Sequence, residues 1–177
     1  MAAGVVFVQN QFTMFAAYNA WANDRLYEAA AALTSEEFNR DVGAFFRSLC
    51  GTLNHILVAD RIWMRRFTGE GDAPTRLDQM LFADLGALRV ARHAEDRRIT
   101  RYVEALAPEA LLGMFTYVPV SSPEPVTQRL APALSHFFNH QTHHRGQAHT
   151  ILSILGKEPP SLDLIYFQRS DDGRRFA

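Results

Sequence analysis

The chain has 177 residues, 47% apolar and 21% charged, with a net charge of −1. That composition fits one soluble globular domain spanning 1–177. The near-zero charge argues against nucleic acid as a partner, since phosphate binding needs a basic face and the arginines here are interleaved with acids. A single cysteine, Cys50, excludes an intrachain disulfide and suits a reducing compartment. No run of about 18 apolar residues is available to span a membrane. The opening "MAAGVVFVQNQF" lacks the basic and long apolar regions of a secretory signal, so a cytoplasmic protein is expected.

Four segments carry helical periodicity. In the first, about 9–33, Phe12, Phe15, Ala16, Asn19, Ala22, Asn23, Leu26, Ala30 and Leu33 recur at three- and four-residue steps. Thr34 and Glu37 then have capping-box spacing for a short new turn. The second segment, about 44–67, stops at the loop-like "TGEGDAP". The third, about 78–106, sets Leu81, Leu85, Leu88, Ile99, Tyr102 and Leu106 on one face, with Arg and Glu on the other. Four prolines in 107–126 forbid a long helix there, and "MFTYVPV" has strand character, so a short hairpin is expected. The fourth helix, about 127–155, ends at Gly156 with Pro159 and Pro160 beyond. These elements predict an all-α four-helix bundle, with a long crossover connection between the third and fourth helices. Its core covers about 10–167, and 168–177 is expected to be a mobile tail.

Five of the seven histidines lie within 136–149. On a helical wheel Leu130, Leu134, Phe137, Ala148, Ile151 and Leu155 mark a buried stripe with His144 near its middle. His140, one turn earlier, points to the same side, whereas His136 and His143 lie on the shoulder and His149 points away. Two imidazoles at i, i+4 can reach one ion, but His136 lies about 12 Å along the axis from His144. A third ligand must therefore come from another helix. His93, among Arg89, Asp96 and Arg97, looks solvent-facing. His55 lies on a small, largely apolar face behind Gly51, whose helix cost of about 1 kcal/mol suggests a close helix–helix approach. His55, His140 and His144 form the candidate triad, with hydrogen-bonded core histidines as the alternative.

Beyond these spacings, "NHQTHHRGQAHTIL", the upstream "LNHILVADRIW" and the N-terminal "YNAWANDRLY" together resemble the DinB/YfiT-like family. The likeness runs from about residue 10 to "LDLIYF" at 162–167. It implies a four-helix bundle, often dimeric, in which three histidines hold a divalent metal, commonly zinc or nickel. The corresponding positions are His55, His140 and His144. Several relatives use low-molecular-weight thiols, as bacillithiol or glutathione S-transferases or a mycothiol-dependent maleylpyruvate isomerase. The resemblance therefore implies a homodimer acting on a small-molecule substrate, with a low-molecular-weight thiol as a candidate co-substrate; the family name derives from damage-inducible expression, which does not establish action on DNA.

Three histidines leave coordination positions open, as in catalytic zinc sites. The metal can then favour a thiolate or a hydroxide nucleophile. Helical metalloproteases carry H-E-x-x-H, with the Glu as general base, but position 141 here is Gln. This favours a thiol S-transferase acting on small electrophiles over a hydrolase. A non-catalytic, stress-associated metal-binding protein is the third reading. Gln141 and His143 are the candidates for catalytic roles, the latter as a proton shuttle or substrate contact, with a purely structural role as the alternative. Asn139, Gln141 and Gln147 are candidates for holding the second nitrogen of a ligand imidazole. Gly146 is expected to mark close packing against another helix or a second subunit. Trp21, Trp63 and Cys50 read as core.

Overall fold

The computed structural model describes residues 2–177, with side chains from residue 4 onward. Four long helices dominate: α1 (Ala2–Ala30), α3 (Leu49–Thr68), α4 (Leu85–Ala105) and α5 (Leu130–Ile154), with the short α2 (Ser35–Asn39) and α6 (Leu164–Arg169) between and after them. Their ends follow the local chemistry. Thr34 accepts from the Glu37 amide while the Glu37 carboxylate accepts from the Thr34 amide, the expected capping box. Ser48 and Asp84 cap α3 and α4 through their side chains. Gly156, in the left-handed region at φ 72°, follows the end of α5. The expected hairpin is present as β1 (Met114–Tyr117) paired antiparallel with β2 (Val126–Arg129), Met114 opposite Arg129.

Helices α1 and α3 each pack against both α4 and α5. Apolar side chains collect at two ends of this assembly. One end joins Leu26 and Tyr27 of α1, Leu49 and Leu53 of α3, Leu88 of α4, and Ile151 of α5. The other joins Phe12, Met64, Ile99 and Leu134 of the same four helices. Following each chain between these clusters gives its direction. Helices α3 and α4 both run from the first cluster to the second, whereas α1 and α5 run the opposite way.

The crossover therefore lies elsewhere than the sequence suggests. Residues 69–84 carry the chain back along the length of the helices from α3 to α4. The proline-rich stretch before α5 starts and ends at the same end, where the Leu130 amide donates to the Gly113 carbonyl. Its length goes into the hairpin, a use that proline spacing alone does not reveal. The chain at 164–176 packs back on α1, with Phe167 against Tyr18 and Trp21 and Phe176 against Phe167.

Between the apolar ends lies a buried polar layer. Arg92 meets Asp60 at 2.6 Å and Asp96 at 3.0 Å, with each side chain at most 7% exposed. Asn19 and Asn23 donate to Asp96, and Gln141 donates to Asp60 at 2.8 Å. Arg145 donates to Asn19 and stacks over Tyr18. Their place on the apolar stripe leaves Asn19 and Asn23 facing either a cavity or an internal partner, and Asp96 is that partner. Asp96 is not a surface neighbour of His93 but part of this layer. His93 itself is half-exposed and reaches Asp24 at 2.7 Å.

Candidate metal centre

His55 on α3 and His140 and His144 on α5 come together between the two helices, each offering a ring nitrogen within 4.8 Å of the others. The Nε2 atoms of His55 and His144 are 3.2 Å apart, and those of His144 and His140 are 3.1 Å apart. His55 and His144 are almost fully buried, at 4% and 8% exposure.

The tautomers decide what these short distances mean. His55 Nδ1 lies 2.8 Å from the Leu77 carbonyl, which can only accept, so that nitrogen carries the proton. His144 Nδ1 lies 2.7 Å from Gln147 Oε1, again an acceptor. In neutral rings the two facing Nε2 atoms are then both bare lone pairs. Burial keeps the rings neutral: desolvation lowers His55 to about 4 and His140 to about 3, and it also lowers His144. Two lone pairs at 3.2 Å repel unless a cation lies between them. Two nitrogens at about 2.0–2.1 Å from a tetrahedral ion stand roughly 3.3 Å apart. The donor chemistry and spacing fit a divalent ion, and three imidazoles leave a coordination position free.

The surrounding chain fixes these rings. Asn54, next to His55, accepts from the Leu81 and Phe82 amides and donates to the Phe82 carbonyl. It pins the crossover segment so that Leu77 reaches His55. Phe46 stacks on His55 at 3.9 Å and meets His144 edge-on at 5.6 Å. Gly51 makes this possible, because a Cβ there would lie 2.1 Å from the Phe46 carbonyl oxygen. The close approach behind Gly51 is thus to the preceding turn, not to a facing helix. Arg47 completes that turn in the left-handed region at φ 67°.

Of the other sequence candidates, Gln147 holds His144, as a ligand-supporting residue should. Gln141 is fully buried and bonded to Asp60, away from the triad. Asn139 is exposed and lines a groove with Phe15 and Tyr18. His143 is exposed beside His144, with its ring 4.7 Å away. His136 lies outside the triad and packs on Trp63 at 5.1 Å. Gly146 is exposed, and a Cβ there would meet nothing within 4 Å, so it makes no close packing within the chain. Cys50 is fully buried with its thiol pushed up to about 11 by desolvation, an inert core residue. Sequence reasoning missed Asn54, Phe46 and Leu77. Asn54 left a signal, a polar residue inside an apolar helical face. The Leu77 carbonyl, being backbone, left none.

A DinB family model matches residues 8–175, with all three histidines inside the match. The chain belongs to the DinB family. It is 25% identical over 144 residues to protein DinB of Bacillus subtilis (strain 168), covering 78% of this chain and 83% of that protein. A DinB-like protein from Bacillus cereus ATCC 10987 shares the fold, with a TM-score of 0.63 at 15% identity, covering 81% of this chain and 90% of that one. DinB membership agrees with the motifs in "LNHILVADRIW" and "NHQTHHRGQAHTIL", and the helical architecture with the structural relative. No described helix is long and apolar enough to cross a membrane.

Proposed function

We propose that this chain is a single-domain four-helix bundle whose His55, His140 and His144 hold a divalent metal, zinc or nickel. We propose further that it acts as a metal-dependent thiol S-transferase, or a related thiol-dependent enzyme, on small electrophiles. The observation carrying this reading is the meeting of bare Nε2 lone pairs from His55 and His144, each ring locked by a hydrogen bond at Nδ1. Such an ion, when bound, supplies Lewis acidity that favours the thiolate form of a small thiol.

The chain's own residues supply orientation and shielding. Leu77 and Gln147 hold two rings in the liganding tautomer, and Phe46 covers the flat face of His55. Gln141 offers no proton acceptor and is engaged with Asp60. With Gln141 turned away from the triad, thiol transfer is favoured over hydrolysis by the likeness of the histidine motifs to those of the thiol-using members of the family. His143, exposed one residue from His144, is the group placed to carry a proton between the site and solvent.

The test is metal content of the untagged protein beside His55→Ala and His144→Ala, followed by electrophile consumption with and without thiol. About one ion per chain, lost in both helical variants, with turnover only when thiol is present, is the expected result. Turnover without thiol would replace transfer by hydrolysis, and failure to retain zinc or nickel would remove the metal reading.

A further inference from the structure

Reached from His140 by way of His136 and Trp63 is an arginine that no carboxylate neutralises among the described residues. Arg66, three residues after Trp63 on α3, spreads over two rings at once: its guanidinium carbon is 4.5 Å from the Trp63 centroid and 4.4 Å from that of Tyr117. Tyr117 comes from the hairpin, and Gln128 on the facing strand donates to its hydroxyl. Among the described residues no carboxylate pairs with Arg66 and no acceptor takes its N–H groups. By contrast, Arg61 and Arg98 both approach Glu95, and Arg65 donates to the Gly71 carbonyl.

The arrangement is continuous with the triad. The His140 ring contacts His136 at 5.8 Å, His136 contacts Trp63 at 5.1 Å, and Trp63 carries Arg66. His136 is exposed and Arg66 half-buried, so the strip from the ligand to the guanidinium reaches solvent. A guanidinium resting over two rings that are inclined at 57° to each other keeps its N–H groups free and loses little rotamer freedom when it binds a carboxylate.

Resting on the metal-centre reading above, we infer that Arg66 anchors the carboxylate of an organic acid whose reactive end lies at the metal centre, with Trp63, His136 and Tyr117 lining its apolar middle. Arg66 is thus a specificity-determining residue: it selects anionic over neutral ligands of the same length. The carboxylate can belong to the thiol or to the electrophile.

The experiment uses the nickel-loaded full chain, with ω-mercaptoalkanoic acids and mercaptoalkanols of matched length, read by the thiolate-to-nickel absorption band. A second arm uses thiol-free alkanoates and alkanols, read by calorimetry. An acid of optimal length should bind about tenfold tighter than its alcohol, the size of a charge-assisted bidentate contact. Arg66→Gln should abolish that preference and Arg66→Lys restore part of it, both variants keeping wild-type helicity and unchanged alcohol binding. A preference confined to mercapto acids assigns the carboxylate to the thiol. A preference in thiol-free acids assigns it to the electrophile. Equal affinities for acids and alcohols in both arms, or a preference that survives Arg66→Gln, overturn the anchor. Absence of the absorption band with every thiol would instead count against thiol binding at the metal, and the calorimetric arm would still decide the role of Arg66.

Discussion

Two polar clusters share helices α3 and α5 and solve burial in opposite ways. In the layer around Arg92, donors and acceptors answer one another: the guanidinium faces two carboxylates, and Asn19, Asn23 and Gln141 fill further carboxylate positions. In the histidine cluster, three rings turn like atoms toward one point. The first cluster pairs its charges within the protein and reads as structure, although Arg92 Nε and Gln141 Oε1 keep no hydrogen-bond partner among the described residues. The second offers the donor set that a cation would complete, which is how a candidate functional site differs from a buried ion pair.

Breaking the charge-paired cluster should cost most. Arg92→Met leaves Asp60 and Asp96 facing each other without their cation, and losing one partner of a buried pair typically costs about 3–5 kcal/mol. Urea unfolding should show that loss as a lower midpoint. A midpoint within error of wild type would mean the two carboxylates take up protons at little cost, and the layer would not be the paired element described above.

The metal-free histidine cluster should weaken with acid, and the sign follows from its lowered pKa values. His55 is held at about 4 in the folded protein by desolvation, against an ordinary value of 6.5. Between pH 6.5 and pH 4 the unfolded chain therefore binds a proton that the folded chain refuses. Stability present above pH 6.5 is lost as pH falls toward 4, by about 3 kcal/mol from this ring alone. The check is unfolding of chelator-treated protein against His55→Leu across that window, since the difference cancels the raised carboxyls of Asp60, Glu95 and Asp96. Parallel curves would show that burial does not keep this ring neutral.

Filling the cluster should reverse the effect. An ion at 100 times its dissociation constant adds about 2.7 kcal/mol. For a chain of this size that raises Tm by roughly 5–10 °C. Zinc should produce this rise in wild type and in neither His55→Ala nor His144→Ala. A similar rise in all three proteins would place the ion elsewhere.

How much of this contrast was legible beforehand depended on periodicity. The i, i+4 spacing of His140 and His144 and the apolar face around His55 were enough to select the triad, because helices impose those directions on side chains. Asp60 and Arg92 were not singled out: a charged residue within a helical segment has the same spacing whether it faces water or a partner. Only packing of α3 against α4 pairs them. The run of the chain was misread for a related reason. Loop length and prolines suggested a crossover before α5, but a long loop can return to the end it left by forming a hairpin. The Leu77 carbonyl that fixes His55 belongs to the segment that does cross, and backbone groups carry no residue signature.

The smallest effect sharpens the comparison most, because it separates holding a ligand from holding the fold. Gln147 is half-exposed; its side-chain oxygen lies 2.7 Å from His144 Nδ1 and its amide nitrogen 3.4 Å from His143 Nε2, so it touches the triad through the first bond alone. Removing it in Gln147→Ala frees the ring to turn or to move its proton to Nε2, where it would block the ligand lone pair. Such supporting contacts are worth on the order of tenfold in metal affinity, about 1.4 kcal/mol. Unfolding without metal should hardly change, since the lost bond lies at the surface. Gln147→Glu keeps an acceptor at the same place and should retain wild-type affinity or exceed it. Zinc titration against a competing chelator distinguishes these outcomes. Equal affinity in all three proteins would show that the His144 tautomer is set without Gln147, and the case for opposed lone pairs would then rest on His55 alone.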